Sequence, residues 1–416
     1  VSARREEANQ VAFQRLVEAD PVIVDIQRAG DVLPGMKPNM ILVAGPPVRW
    51  DQYFSGSRRA ILHGAVHEGL AANVEDAEAK LDRGEILVDS TDAHGVAATW
   101  HGIHTASMPV FVVEERTTGA RGYCTPFEGD GPTRLAQGSY GPDSVERLRF
   151  VAEVLAPTLK EAIRRLGGIP VMPIIRRALQ LGDEMHLRTD GATLLLTRVL
   201  APALVEVARE RRDEVQKCLE FIARADYTFV RIALAAAKAT TISASGVEGS
   251  SLVTMMGQSC LGFGIKVSGL GDEWFTSNDM CTLEEGKLEN PEALDAGEAT
   301  SDCFIMECIG LGVFVGATAL GLLTALGGSP EKFVERNASM YAITLGAHPH
   351  FKIPLGTYRG APCGVDLFKV VETGIAPVFH GFLINSKWGV TVGVWRAPIE
   401  PFRRAAAAWE KRYGRA

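Results

Sequence analysis

The sequence predicts a mixed α/β and α+β multidomain protein. It divides into a Rossmann-like domain over residues 1–135, a helical middle region over 136–245 and an α+β, glycine-rich C-terminal domain over 246–416. Three observations carry this division. Short β-rich apolar runs alternate with helical stretches in the first third. Apolar residues then recur at helical spacing for about a hundred residues. From Gly246 onward, apolar strands return between glycine-rich turns.

Composition narrows the class. At 416 residues the chain can build two or three cores, and 46% hydrophobic against 22% charged residues places it among folded globular proteins. The net charge of −7 is spread without a basic run, which leaves no electrostatic footprint for nucleic acid. Seven cysteines without a CxxC pair indicate neither a disulfide framework nor a zinc knuckle, and they fit a reducing cytoplasm. Val1 to Asp20 reads as a charged amphipathic helix without a signal-peptide core, so no export is predicted. Ile309 to Gly328 runs twenty residues without a charge, the length of a membrane span. Its six glycines, and flanks without basic or aromatic anchors, predict instead a buried core element and no membrane role.

In chain order, Val22–Ile26 and Met40–Ala44 are apolar runs bounded by Pro and Gly, as buried strands are. The second empties into Gly45-Pro46-Pro47-Val48-Arg49-Trp50, ahead of a helical stretch from Ser57 to Ala72. Open α/β sheets place ligands at such a loop. No GxGxxG opens these helices, so a nucleotide site is not predicted. Gly45 and Arg49 are instead candidates for holding a phosphate or carboxylate, the alternative for Arg49 being a surface side chain packed on Trp50. A helix from Asn73 to Leu81 and strands at Glu85–Asp89 and Met108–Glu115 follow. A Thr118-Gly119 turn then leads into Arg121–Cys124, which predicts an antiparallel last strand.

Five of the nine histidines fall between His63 and His104. Their spacings suit zinc, but without HExxH they predict hydrogen-bonded packing residues, and no metal is assigned. Asp89, His94, His104, Thr105 and Ser107 are expected to line the crevice at the strand ends.

The middle region reads as a helix from Asp143 to Leu166, stopped by Gly167-Gly168, and then Thr189–Arg211, Asp213–Ala223 and Tyr227–Ile242. Among these lies Gly182-Asp183-Glu184-Met185-His186-Leu187-Arg188-Thr189-Asp190-Gly191. At helical spacing Asp183, His186 and Asp190 share one side, with Glu184 and Arg188 four apart on the next. His186 would move protons, Asp183 or Glu184 would orient it, and Arg188 would clamp an anion. The competing reading is a polar helix junction in which Glu184 pairs with Arg188 and Asp190 or Thr189 caps the next helix.

Beyond Gly246, glycines and hydroxyls turn the chain into a strand and hairpin over Gly262–Ser277, where Asp272 is a candidate substrate contact. Residues 282–300 read as an acidic surface excursion. Cys363 has no obvious base beside it and is expected to be inert. An alanine-rich helix from Glu400 to Arg412 ends the sequence.

Five blocks carry a resemblance over nearly the whole chain. They are Val43-Ala44-Gly45-Pro46-Pro47-Val48-Arg49-Trp50, Thr105-Ala106-Ser107-Met108-Pro109, Gly182 to Arg188, Val267-Ser268-Gly269-Leu270-Gly271, and Val371-Glu372-Thr373-Gly374-Ile375-Ala376-Pro377. Together they resemble the YlbE-like (AllG) family. The resemblance implies a component of an oxamate carbamoyltransferase system in purine (allantoin) catabolism, acting beside an FdrA-like subunit and a third small subunit. It further implies carbamoyl transfer between oxalurate plus phosphate and oxamate plus carbamoyl phosphate, and it assigns no residue roles and no cofactor. An oligomer is expected. Carbamoyl transfer on small anions needs cations, oxyanion donors and an acid/base, which Arg49, Arg188, His186 and His104 would supply. Two other classes compete: a non-catalytic scaffold whose Ile309–Gly328 element meets the FdrA-like partner, and a metal-dependent amidohydrolase using the His63–His104 group.

Overall fold

The computed structural model describes residues 2–288, 300–355, 358–384 and 390–414. Ala8, Ala12 and Leu16 recur every fourth residue, and helix α1 (Ser2–Val17) buries all three. Strand β1 (Pro21–Arg28), the short helix α2 (Ala29–Val32) and β2 (Met40–Val43) follow. Helix α3 (Ser55–His67) precedes α4 (Val74–Asp82), which Asn73 caps by accepting the Asp76 N–H at 2.8 Å. Four strands come next: β3 (Leu87–Ser90), β4 (Ile103–His104), β5 (Pro109–Glu115) and β6 (Arg121–Cys124).

β2 and β3 pair in parallel across α3 and α4, whereas β2–β4, β1–β5 and β5–β6 are antiparallel. With β7 (Ile169–Pro170), the strands form two small sheets, ordered β3-β2-β4 and β6-β5-β1-β7. The Rossmann-like parallel sheet expected over 1–135 therefore reduces to one parallel crossover. The reason is local. Gly119, at φ 74°, folds β5 straight back on β6, and a hairpin can only be antiparallel.

The helices fall where their periodicity places them: α5 (Pro142–Phe150), a π-helical turn at Val151–Leu155, α6 (Ala156–Leu166), α7 (Val171–Gln180), α8 (Asp190–Val207), α9 (Arg212–Ile222) and α10 (Thr228–Ser243). Of these, α10 is buried on all sides, Ile242 alone being part-exposed, and it lies against β5 and β6. Its run of alanines lets a strand come close. A methyl added at Gly122 would stand 2.0 Å from the Ala235 carbonyl oxygen and 2.6 Å from the Ala239 nitrogen. Gly122→Ala is therefore expected to lower stability by about 3 kcal/mol, the upper end of overpacking costs. A urea midpoint unchanged from wild type would show that strand and helix separate freely.

The remainder is α+β. It comprises β8 (Val253–Ser259), β9 (Gly262–Val267), β10 (Phe275–Thr276), β11 (Thr282–Leu288), α11 (Ile305–Cys308), α12 (Leu323–Leu326), α13 (Pro330–Ser339), β12 (Thr344–Lys352), β13 (Gly360–Val365), α14 (Leu367–Thr373), β14 (Val378–Ile384), β15 (Val390–Arg396) and α15 (Glu400–Tyr413). Its strands form the sheets β10-β9-β8, β11-β15-β14 and β12-β13. Phe263, Phe304 and Phe379 meet in its core, the closest ring centroids 4.5 Å apart. The acidic excursion expected over 282–300 starts as β11, which pairs with β15, and residues 289–299 lie outside the described residues. Ile309–Ala317 is buried, and among the described residues no helix is long and apolar enough to cross a membrane.

Candidate active site

Helix α10 carries two charges in sixteen residues, Arg231 and Lys238. Seven positions apart, they share one face, about 10 Å from each other along the axis. Both are buried, at 7% and 4% exposure. A buried cation is costly unless an anion meets it, so what each one faces matters.

Arg231 lines a cleft of about 330 Å³ together with Ile103, Ser107, Glu128, Tyr140 and Arg149. Among the described residues no carboxylate stands within ion-pair distance of its guanidinium, and its Nε has no hydrogen-bond partner. The ring of Phe127 lies 5.8 Å from it. Glu128 is also buried, and its oxygens accept the N–H groups of Leu135 at 3.1 Å and Ala136 at 3.2 Å. Burial raises its pKa, and the charge of Arg231 opposes that only in part. His104 accepts the Thr125 N–H at Nε2, 3.1 Å away, so its proton sits on Nδ1, which is buried without a partner. Burial, helped by the Arg231 charge, lowers this imidazole to about 3 and keeps it neutral. The cleft thus combines an uncompensated cation with a protonatable acid, a set suited to a small carboxylate or carbamoyl compound.

At the other end of the face, Lys238 and Lys266 share the carboxylate of Asp92, and Lys266 reaches Asp272 at 2.9 Å as well. Burial would raise Asp92, but the two ammonium groups outweigh it and bring the carboxyl to about 2. Nearby, Asp302 accepts the Gly45 N–H at 2.7 Å, the Ala98 N–H at 3.0 Å and the Thr91 hydroxyl. Burial raises Asp302 from 3.8 to about 6. Stability contributed by this group is complete below pH 3.8 and is lost as pH rises through about 6. The gap in unfolding free energy between wild type and Asp302→Asn is therefore expected to change between pH 4 and 7, in favour of the variant as pH rises. A gap constant across that window would show that Asp302 titrates normally.

The Gly182–Thr189 stretch is a turn rather than a helix, which corrects the helical face expected for it. Met185 adopts φ 75°, and the chain wraps around its own carboxylate. Glu184 Oε1 accepts the N–H groups of His186 at 3.0 Å, Leu187, and Arg188 at 2.9 Å, while Oε2 accepts from His380 Nδ1 at 3.0 Å. His186 Nδ1 in turn meets Glu307 Oε1 at 3.1 Å. Burial disfavours the charge of His186, but Glu307 outweighs it and holds the imidazole well above its ordinary value. Asp183 accepts the Gly191 N–H at 3.2 Å and the Ala192 N–H at 2.7 Å, capping α8 in place of the expected Asp190 or Thr189. Burial raises its carboxyl to about 6. Arg188 does not pair with the Glu184 carboxylate; its Nε lies 3.6 Å from Asp183 and its Nη2 3.5 Å from Asp190.

Against known proteins, residues 86–298 match the family model described as oxamate carbamoyltransferase subunit AllG. The oxamate carbamoyltransferase subunit AllG of Escherichia coli (strain K12) is 30% identical over 422 residues, covering 98% of each chain. The chain belongs to the AllG family. A second protein of that organism, the uncharacterized protein YahG, is 32% identical over 98% of this chain and 86% of its own. A crystal structure of a conserved protein of unknown function from Enterococcus faecalis V583 superposes with a TM-score of 0.92 at 28% identity, covering 98% of both chains.

Within this AllG-family fold, the residues singled out in the sequence fall into separate groups. Ser107 lines the Arg231 cleft and His104 supports its Thr125, with the Ser107 hydroxyl donating to Glu68 at 2.7 Å. Glu184 and His186 form a buried group with Glu307 and His380, Asp183 caps α8 beside the part-exposed Arg188, and none of these four predicted residues lines that cleft. Asp272 joins Lys266. The Gly45 N–H is taken by Asp302, and a methyl there would stand 2.3 Å from the Gln258 carbonyl oxygen, so the loop leaves no room for an anion. Arg49 is 75% exposed and pairs with Asp51, while the cation stacked on Trp50 is Arg58, 4.0 Å from the ring. His94 bonds the Pro34 carbonyl at 2.6 Å and Asp89 at 3.2 Å, away from the cleft.

His63 and His67 pack on Tyr140, and His101 bonds Ser57 at 3.1 Å. Among the described residues no three His, Cys, Asp or Glu side chains converge as a metal-holding group. Sequence reasoning missed Glu128, Arg231, Lys238, Asp302, Glu307 and His380. The available signal was an isolated charge inside an apolar run, as in Thr228–Ser243 with two cations and 303–318 with Glu307. Such a charge must find a partner or a ligand.

Proposed function

We propose that the chain is a working subunit of an oxamate carbamoyltransferase, with the Arg231 cleft taking the small anionic substrate. The observation that carries this reading is the buried Arg231 guanidinium, open to a cleft and, among the described residues, without a carboxylate at ion-pair distance. The name of the E. coli AllG relative supports the reaction class. In the phosphorolytic direction a phosphate oxygen attacks the ureido carbonyl of oxalurate and the bond from that carbon to the oxamate nitrogen breaks. The nitrogen then takes a proton, giving oxamate and carbamoyl phosphate. Arg231 would hold the carboxylate, and Glu128, its carboxyl raised by burial, would deliver the proton. His104 and Ser107 would fix the cleft wall, while Glu184, His186, Asp183 and Arg188 would hold the interior that positions α8 and α11.

Catalysis would be completed in the cytoplasm beside an FdrA-like subunit and a third small subunit. The test is phosphate-dependent release of carbamoyl phosphate from oxalurate, by the chain alone and with the FdrA-like subunit added. Turnover with the partner, together with saturable oxamate binding to the chain alone, is the expected result. Oxamate and oxalurate both failing to bind, with no turnover in either mixture, would overturn the reading.

A further inference from the structure

The cavity at the far end of α10 makes a second site. It encloses about 450 Å³ and is lined by Asp92, Lys238, Lys266, Thr241, Ser245 and Thr254. Two lysines bring six N–H donors between them, and the described contacts use three: one from each to Asp92 and one from Lys266 to Asp272. The Asp272 side chain is fully exposed, so water weakens its hold on Lys266. Asp302 feels the charge of Lys238, but its oxygens are committed to Gly45, Thr91 and Ala98. At the rim, Arg121 is engaged by Glu114 at 2.7 Å. The buried Thr254 makes no described side-chain hydrogen bond, whereas the exposed Ser245 hydroxyl, at the cavity edge, donates to the Thr241 carbonyl at 2.7 Å. The cavity therefore faces two ammonium groups, held from a helix and a strand by the buried carboxylate of Asp92 and, at the exposed rim, by Asp272.

We propose that this cavity is an anion site for a phosphoryl group, held between Lys238 and Lys266 with the hydroxyl of Thr254 at its edge. Lysine ammonium groups act as compact charges with freely turning donors, which suits a tetrahedral oxyanion approached from two elements. The cavity is larger than inorganic phosphate needs, leaving room for the body of a small organic phosphate. The site does not depend on what occupies the Arg231 cleft.

The experiment follows the thermal midpoint of the full chain against inorganic phosphate and, separately, acetyl phosphate, each matched in ionic strength with chloride. A saturable rise is expected. Tighter binding of acetyl phosphate would identify an organic phosphate as the ligand, and tighter binding of inorganic phosphate would identify the free ion; either supports the site. Lys266→Gln and Ser245→Asp are each expected to weaken the effect about tenfold, the loss of one charge-assisted hydrogen bond or the addition of a repelling charge. In Arg231→Met a saturable rise should remain, since the lysine pair is intact. No rise beyond chloride with either compound would overturn the proposal, as would a full response in Ser245→Asp. A response lost in Arg231→Met alone would overturn it too, because phosphate would then sit in the other cleft. Ser245 is exposed, so its variant decides the matter even where Lys266→Gln fails to fold.

Discussion

Arg231→Met is expected to lower carbamoyl transfer by about a hundredfold or more while leaving the chain as stable as wild type, or more so. The two halves of this prediction have one cause. A guanidinium at 7% exposure has lost much of its hydration and, among the described residues, gained no ion pair in return. Methionine is close in length and needs no hydration, so the empty protein should not suffer from the change. With an anionic substrate bound, the order reverses. The guanidinium then has its partner in a site of low dielectric, where one positioned charge contributes about 3 kcal/mol or more. Urea unfolding and steady-state turnover on the same preparation separate the two effects. A variant that unfolds much earlier than wild type would make Arg231 a structural residue. One that keeps full turnover would remove the cleft from the reaction.

Glu184→Ala is expected to cost about 4 kcal/mol of stability, with little regard to substrate. The carboxylate organises four donors at once: three successive backbone N–H groups and His380. Removing it leaves each of them buried without an acceptor, and a lost partner in such a network typically costs about 3–5 kcal/mol. The turn it holds includes Met185 in the left-handed region, a conformation that persists only where its surroundings impose it. Glu184→Gln keeps one oxygen for the backbone and should fall between wild type and alanine. If the alanine variant lost less than about 1 kcal/mol, the turn would be held by something other than this carboxylate. Burial would raise Glu184, but His380, His186 and the backbone N–H groups outweigh it and leave the carboxyl below its ordinary value, so its contribution is present at neutral pH and is lost only on strong acidification.

The candidate site was legible in the sequence only where chemistry stood out locally. Gly182–Gly191 attracts attention by its density of polar groups; Glu184 and His186 there belong to a buried network, and a turn replaces the helix that the spacing suggests. Arg49 stands out beside a glycine loop, yet it points to solvent, because nothing in its neighbourhood reveals that the loop packs against Gln258. Arg231 and Lys238 did not stand out at all, hidden in an alanine-rich run whose helical period is its strongest local feature. Read as buried charges rather than as helix residues, they would have been the first candidates.

What the sequence by itself determined was the set of local elements and the family. The strands from Val22 to Cys124, the helices from Pro142 to Ser243 and the final helix follow from periodicity, turn residues and caps, all of which act over a few residues. Only the tertiary structure decided which sheet each strand joined and which groups met. Glu184 finds His380 196 positions away, His186 finds Glu307 121 positions away, and Asp92 finds Lys238 146 positions away. The same is true of Arg231, which meets no carboxylate at ion-pair distance among the described residues. A charge's cost or value depends on what surrounds it in space, and that neighbourhood exists only once distant segments have packed together.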